Sequence, residues 1–358
     1  MRRDLAIALV MTVSLAAVQA RAQASYPCDN TAPNPYKLVS YDWGQGIQPW
    51  GGVRAVAVDS HDNLWVFSRC GDGDVHGDIP QSCTGTKHAP VYELGPDGKM
   101  ITHFGAGLFS SGHGIGVDGD GNVWVADGLH AYKVSPDGKL LLTLGNGKRE
   151  VGDDTFNSAT GVAFLSNGDV VISEGHGGNL PQARINIFTR DGKRVRSIGT
   201  YGTGPGQNLA IHDVATDSRD HIYAASEKRS GKEPGGGVVN VYDKDGKFLA
   251  AWKQFGNPGG LYVDKRTDTL YVIDSKSVPD TKSRLFYGDY SDLYNGGCVM
   301  GIRIGSVKDG RVQYYIPPPP VLDEKYKWLP PEGITVDSHG AIYTGAEQQR
   351  TVMKYVLK

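Results

Sequence analysis

Two histidines and a glutamate fall at one register of a sequence unit that recurs six times in this 358-residue chain. Five residues before the unit's aspartate (Asp59, Asp118, Asp217, Asp264 and Asp337, with Leu165 in the third copy) stand Arg54, His113, Thr160, His212, Gly259 and Glu332. His113, His212 and Glu332 belong to the second, fourth and sixth copies. Imidazole nitrogens and a carboxylate are the ligands of a catalytic zinc that keeps one position open. Such an ion activates water or polarises a substrate oxygen. The same donors suit other divalent transition metals. A lone histidine before a strand is more often a hydrogen-bonded loop residue, so the metal reading rests on the shared register.

The elements that must position these residues are short strands. VRAVAVDSHDNLWVFSR, HGIGVDGDGNVWVAD, TGVAFLSNGDVVISE, HDVATDSRDHIYAASE, GGLYVDKRTDTLYVID and EGITVDSHGAIYTGAE each read as two alternating strands around an Asp/Asn/Gly turn. AYKVSPDGKLLLTLG, INIFTRDGKRVRSIG and VNVYDKDGKFLAAWK read as second hairpins with DG turns. Two hairpins make a four-stranded blade, and repetition at roughly 40–50 residues marks a β-propeller. The fold class predicted is all-β, a six-bladed propeller. The last unit ends on TVMKYVLK, one strand short, and YKLVSYDW near the N-terminus supplies the missing outer strand. Such pairing removes exposed edges. Alternate blades of a six-membered ring stand about 120° apart, so the three ligands converge on the axis. Longer insertions fall on one face, at 70–90, 146–158, 176–184, 275–298 and 314–331. A built-up face on a rigid scaffold is where function usually lies.

Further candidates stand on that face. Arg69 ends the second strand of blade one and either faces the axial cavity or pairs with Asp72 or Asp74. His176, in SEGHGG, is a general base, a fourth metal ligand or a surface residue. Asp213 either holds a central calcium with the carbonyls of Val56 and Ile115 or caps a turn. Tyr287, Tyr290 and Tyr294 form a pocket wall for substrate or pack a loop.

Residues 1–24 carry Arg2 and Arg3, an apolar run and Ala22-Gln23-Ala24, the pattern of a signal peptide cut near Ala24. The domain then spans 25–358, and the protein is expected to be secreted or periplasmic. All four cysteines follow the cut. Cys70 with Cys83 is the first guess, leaving Cys28 with Cys298, although spacing alone leaves three pairings open. A net charge of −2 implies neither nucleic acid nor an anionic membrane as partner. No membrane span is expected, and the expected state is a monomer acting on a small-molecule or peptide substrate.

At VAVDSHDNLWVFSR, HGIGVDGDGNVWVAD and PPEGITVDSHGAIYTG the chain resembles the NHL-repeat propellers, among them the peptidyl-α-hydroxyglycine α-amidating lyases. The resemblance implies a zinc held by three histidines, flanked by an arginine and a tyrosine, with a calcium in the central tunnel. Two of the histidine positions fall on His113 and His212, and the third on Glu332. The arginine position falls on Arg69, and that of the tyrosine, the proposed base, on His176. The carboxylate that follows the third histidine in the family is Gly333 here, while Asp213 offers one on another blade. The resulting expectation is a metal-dependent lyase of α-hydroxy-amides or related hydroxylated substrates. Metal would sit at His113, His212 and Glu332, with His176 as base and Arg69 stabilising charge. The alternatives are a calcium-dependent hydrolase or lactonase and a non-catalytic NHL module that binds protein or glycan.

Overall fold

The computed structural model describes residues 28–44, 50–70, 83–176, 180–227, 237–277, 297–319, 331–347 and 349–358. The expected signal peptide and Tyr287, Tyr290 and Tyr294 lie outside them. The regular elements within them are strands, and they form six four-stranded sheets and a short two-stranded one. The six blades span 53–104, 114–144, 159–198, 211–252, 258–316 and 333–357. The last is completed by Tyr36–Ser40, antiparallel to its outer strand with Tyr36 opposite Leu357. The expected closure of the ring is therefore present.

Strand burial follows position in the blade. The second strands Leu64–Ser68, Val123–Asp127, Val170–Glu174, Ile222–Ser226 and Ile342–Ala346 are buried along their whole length. The outer strands Met100–Phe104 and Leu140–Leu144 are largely open to solvent. The core is a ring of six apolar clusters, each between neighbouring blades. Between blades one and two, Trp65 and Phe67 meet Ile115 and Val123. Full burial of one such side chain stabilises by roughly 1.5–3 kcal/mol.

The repeat's aspartate has a local cause. Asp118 Oδ1 accepts the N–H groups of Asp120 and Asn122 at 3.0 and 2.9 Å, and Oδ2 accepts Trp124 Nε1 at 3.0 Å. Asp59 with Trp65, Asp217 with Tyr223 and Asp337 with Tyr343 repeat the contact at 3.1, 3.0 and 3.1 Å. One carboxylate thus closes the turn and fixes the aromatic ring that fills the next interface. That pairing sets the register of blades one, two, four and six.

Close approach of the inner strands brings that register to the axis. A Cβ on Gly114 would lie 2.0 Å from the Thr160 carbonyl oxygen, and one on Gly333 would lie 2.5 Å from that of Arg54. At these two blades the residue after the register position must therefore be glycine, and the side chain before it is drawn inward. Cys70–Cys83 and Cys28–Cys298 are bonded, with Cα atoms 4.9 and 5.2 Å apart, matching the first-guess pairing. No helix among the described residues is long and apolar enough to cross a membrane.

Candidate metal centre

The loop before His113 is fixed by Asp127, whose carboxylate accepts Ser110 N, Ser110 Oγ and Ser111 N at 2.6, 2.8 and 2.7 Å. The His113 N–H then donates to the Ala126 carbonyl at 2.8 Å, opening the inner strand Gly114–Val117. His212 is the second residue of the inner strand Ile211–Thr216. His176 follows Gly175, which forms a parallel bridge with Ile211. Gly175 has φ 122°, and a Cβ there would strike Ala183 at 2.7 Å, so glycine is required at this crossing. The bridge carries His176 from blade three onto the flank of His212.

Three imidazoles consequently meet. Ring centroids are 4.4 Å apart for His176 and His212, 4.5 Å for His113 and His212, and 5.4 Å for His113 and His176. One nitrogen from each lies within 4.8 Å of the others. Burial, with repulsion from His212 and Arg54, holds His113 well below the usual imidazole range. Burial and the His212 ring lower His176 to about 3 in spite of Glu227. His212 is lowered too, burial outweighing the attraction of Glu332. All three rings are thus neutral near pH 7, the form that ligates metal. Nε2 of His113 and of His212 is buried without a hydrogen-bond partner among the described residues. An orphaned buried nitrogen costs about 1–3 kcal/mol, and two facing one space fit a shared cation.

Glu332 lies at the edge of this cluster. Its Oε2 is 3.7 Å from His212 Nε2 and 3.4 Å from Arg54 Nε. The register grouped Glu332 with His113 and His212, whereas the mutually close set contains His176 in its place. The physical reason is the guanidinium of Arg54, which holds the glutamate towards blade one. Glu347 extends the ionic chain, with Oε2 2.5 Å from Arg54 Nη2 and Oε1 2.7 Å from Arg69 Nη1. Arg69 also donates to Ser111 Oγ. Among the described residues the acidic partner of Arg69 is Glu347; Asp72 and Asp74, its expected partners, lie outside them.

On the opposite side Glu227, fully buried, has Oε2 2.9 Å from His176 Nδ1 and Oε1 against Lys276 Nζ. Burial would raise this carboxyl, but the Lys276 ammonium and His176 outweigh it and hold it well below the usual range. Glu227, Glu347 and Lys276 are additions to the set read from sequence. Glu227 and Glu347 stand one residue beyond the second strand of their blades, the same register as Arg69. Comparing that position across blades would have found both.

Asp213, Val56 and Ile115 line the axial cavity below the histidines. The Asp213 carboxylate accepts Val214 N at 2.8 Å and Leu261 N at 2.9 Å. It occupies space that glycine leaves on the neighbouring blade: a Cβ on Gly161 would lie 2.4 Å from Asp213 Oδ1. Burial raises this carboxyl to about 7.

No protein-family model matches the chain. It is 26% identical over 344 residues to rat peptidylglycine alpha-amidating monooxygenase, covering 88% of this chain and 31% of that protein. It is 29% identical over 211 residues to peptidyl-alpha-hydroxyglycine alpha-amidating lyase 1 of Drosophila melanogaster, covering 53% of this chain and 38% of the fly protein. Human NHL repeat-containing protein 3 is 27% identical over 237 residues, covering 62% of this chain and 61% of that one. The chain thus spans about a third of the length of the first two relatives, by the 31% and 38% just given. Among solved structures, a gluconolactonase from Xanthomonas campestris superposes with a TM-score of 0.56 at 13% identity, covering 95% of this chain and 99% of that one. Virginiamycin B lyase from Staphylococcus aureus, in a catalytically inactive form, gives 0.54 at 14% identity, covering 90% and 100%. These two likenesses speak for the fold alone. With its six blades, its repeated aspartate turns and these sequence relatives, the chain is a six-bladed β-propeller whose sequence resembles the NHL-repeat proteins and, among them, the peptidyl-α-hydroxyglycine α-amidating lyases.

Proposed function

We propose that this protein is an exported, metal-dependent lyase that cleaves an α-hydroxy-amide or a related hydroxylated small-molecule or peptide substrate. The observation that carries the reading is the axial trio of neutral, largely buried histidines, with one nitrogen from each within 4.8 Å of the others, beside Arg69. His113, His176 and His212 would hold zinc or a similar divalent ion. Such an ion, when bound, lowers the pKa of a coordinated hydroxyl and neutralises developing charge.

The chain's own groups divide the remaining work. His176 was the expected base, but its Nδ1 faces Glu227, which leaves Glu332 Oε2 to take the substrate hydroxyl proton. As that proton leaves, the hydroxyl carbon becomes a carbonyl and its bond to nitrogen breaks. The bonding pair goes to the amide nitrogen, which takes back the proton that Glu332 accepted and departs as a primary amide. Arg69, held by Glu347, donates to the carbonyl or carboxylate next to the breaking bond. The buried wall around His113 and His212 keeps bulk water from the reacting atoms.

Two disulfides belong to an oxidising compartment, and the signal-like segment 1–24 supports export. A calcium-dependent lactonase reading is less well supported, because the close donors are nitrogens and calcium takes oxygen. A central calcium at Asp213, Val56 and Ile115 is a separate, structural proposal. The test is to incubate zinc-loaded protein with an N-acyl-α-hydroxyglycine and follow glyoxylate and the primary amide. Equal release of both products is expected. Intact substrate with one zinc bound per chain would refute the lyase reading, and dependence on calcium alone would favour the lactonase.

A further inference from the structure

We propose that Glu227 is the positioning residue of this centre, fixing the His176 ring through Nδ1 so that Nε2 turns towards His113 and His212. This rests on the reading that the three histidines hold a metal, and it deepens that reading by naming the group that builds the third ligand. His176 follows Gly175 in a loop, whereas His113 and His212 enter from inner strands. The Gly175–Ile211 bridge sets where the residue starts but leaves the ring's rotation open. A carboxylate 2.9 Å from Nδ1 removes that freedom. It also selects the tautomer, because a proton on Nδ1 faces Glu227 and leaves the Nε2 lone pair for a ligand. Histidines that bind metal commonly donate their second N–H to a carboxylate, and a small turn of the His176 ring would bring Nδ1, 2.9 Å from Glu227 but outside hydrogen-bond geometry, into that arrangement.

The surroundings of Glu227 support the assignment. The residue is fully buried, and its side-chain ion pairs among the described residues are with His176 and Lys276. A carboxylate in such a place is costly unless it is paired. Lys276, from blade five, keeps it ionised from the side away from the ring. Blades three, four and five thus form one chain running from ammonium through carboxylate to imidazole.

The experiment compares wild-type apoprotein with Glu227→Gln, Glu227→Asp and Lys276→Met. Each is titrated with cobalt(II), read by its visible bands, and with zinc against a chromophoric chelator. Glu227→Gln is expected to weaken zinc about 10–100-fold and to change the cobalt spectrum. Glu227→Asp, which keeps the charge beside Lys276 but withdraws it from His176, is expected to do the same if the amide variant fails to fold. Lys276→Met should keep the wild-type cobalt spectrum. Zinc affinity within twofold of wild type and an unchanged spectrum in a folded Glu227 variant would overturn the proposal, making Glu227 a structural partner of Lys276. Wild-type protein that binds neither metal would instead overturn the metal reading on which it rests.

Discussion

The two halves of the axial site are built on opposite principles. Blades two, three and four contribute His113, His176 and His212, His113 and His212 buried and His176 half-buried, and all held neutral. Blades one and six contribute Arg54, Arg69, Glu332 and Glu347, all charged and linked in one chain of ion pairs. The halves touch where Glu332 Oε2 approaches His212 Nε2 at 3.7 Å. A neutral half with orphaned nitrogens is suited to holding a cation. A charged half whose members neutralise one another is suited to moving a proton and holding a polar substrate group. The difference separates metal binding from acid–base work along a boundary that lies between residues.

The strongest way to break the comparison is to remove a nitrogen from the neutral half. His113→Ala or His212→Ala is expected to lose zinc by more than the roughly 100-fold that an outer partner's loss can cost, as read by metal content after dialysis. Turnover should fall to background in both. On the charged half, Glu332→Gln should keep zinc while kcat falls on the order of 100–10,000-fold, the usual worth of a general base. Metal content and rate measured on one preparation check this. If Glu332→Gln lost metal in parallel with rate, the boundary would be in the wrong place.

Smaller effects sharpen the charged half. Glu347 bridges both arginines, so Glu347→Gln releases positive charge towards the cavity. Inhibition by a small carboxylate such as glyoxylate should then strengthen about tenfold, with a loss of about 1–3 kcal/mol in stability from the broken buried contacts. The calcium proposal is smaller still. Calcium should raise the Tm of wild-type protein by a few degrees, as a ligand that binds only the folded state does, and Asp213→Asn should abolish that response.

Much of the fold was legible because its causes are local. An aspartate that closes its own turn and orients an aromatic six residues later leaves a mark in four of the six copies, as Asp118 and Trp124 show. Closure by Tyr36–Ser40 was legible from a strand missing in the last unit. The same register brings His113 and His212 together, with ring centroids 4.5 Å apart. What it could not carry was the identity of the third close group. His176 reaches the axis through a bridge between blades three and four. Glu332 is held aside by an arginine 278 positions earlier in the numbering. Both are long-range contacts that the register does not encode. Glu227 and Glu347 were legible in principle, at the position of Arg69, but a carboxylate after a strand carries no mark of its own.

The most direct test of the account is the metal content of His176→Ala set beside that of Glu332→Ala, each purified without added metal. Wild-type protein and Glu332→Ala are expected to hold about one transition-metal ion per chain, and His176→Ala much less. Metal retained by His176→Ala and lost from Glu332→Ala would contradict the account, placing the glutamate within the metal's ligands and the imidazole outside them.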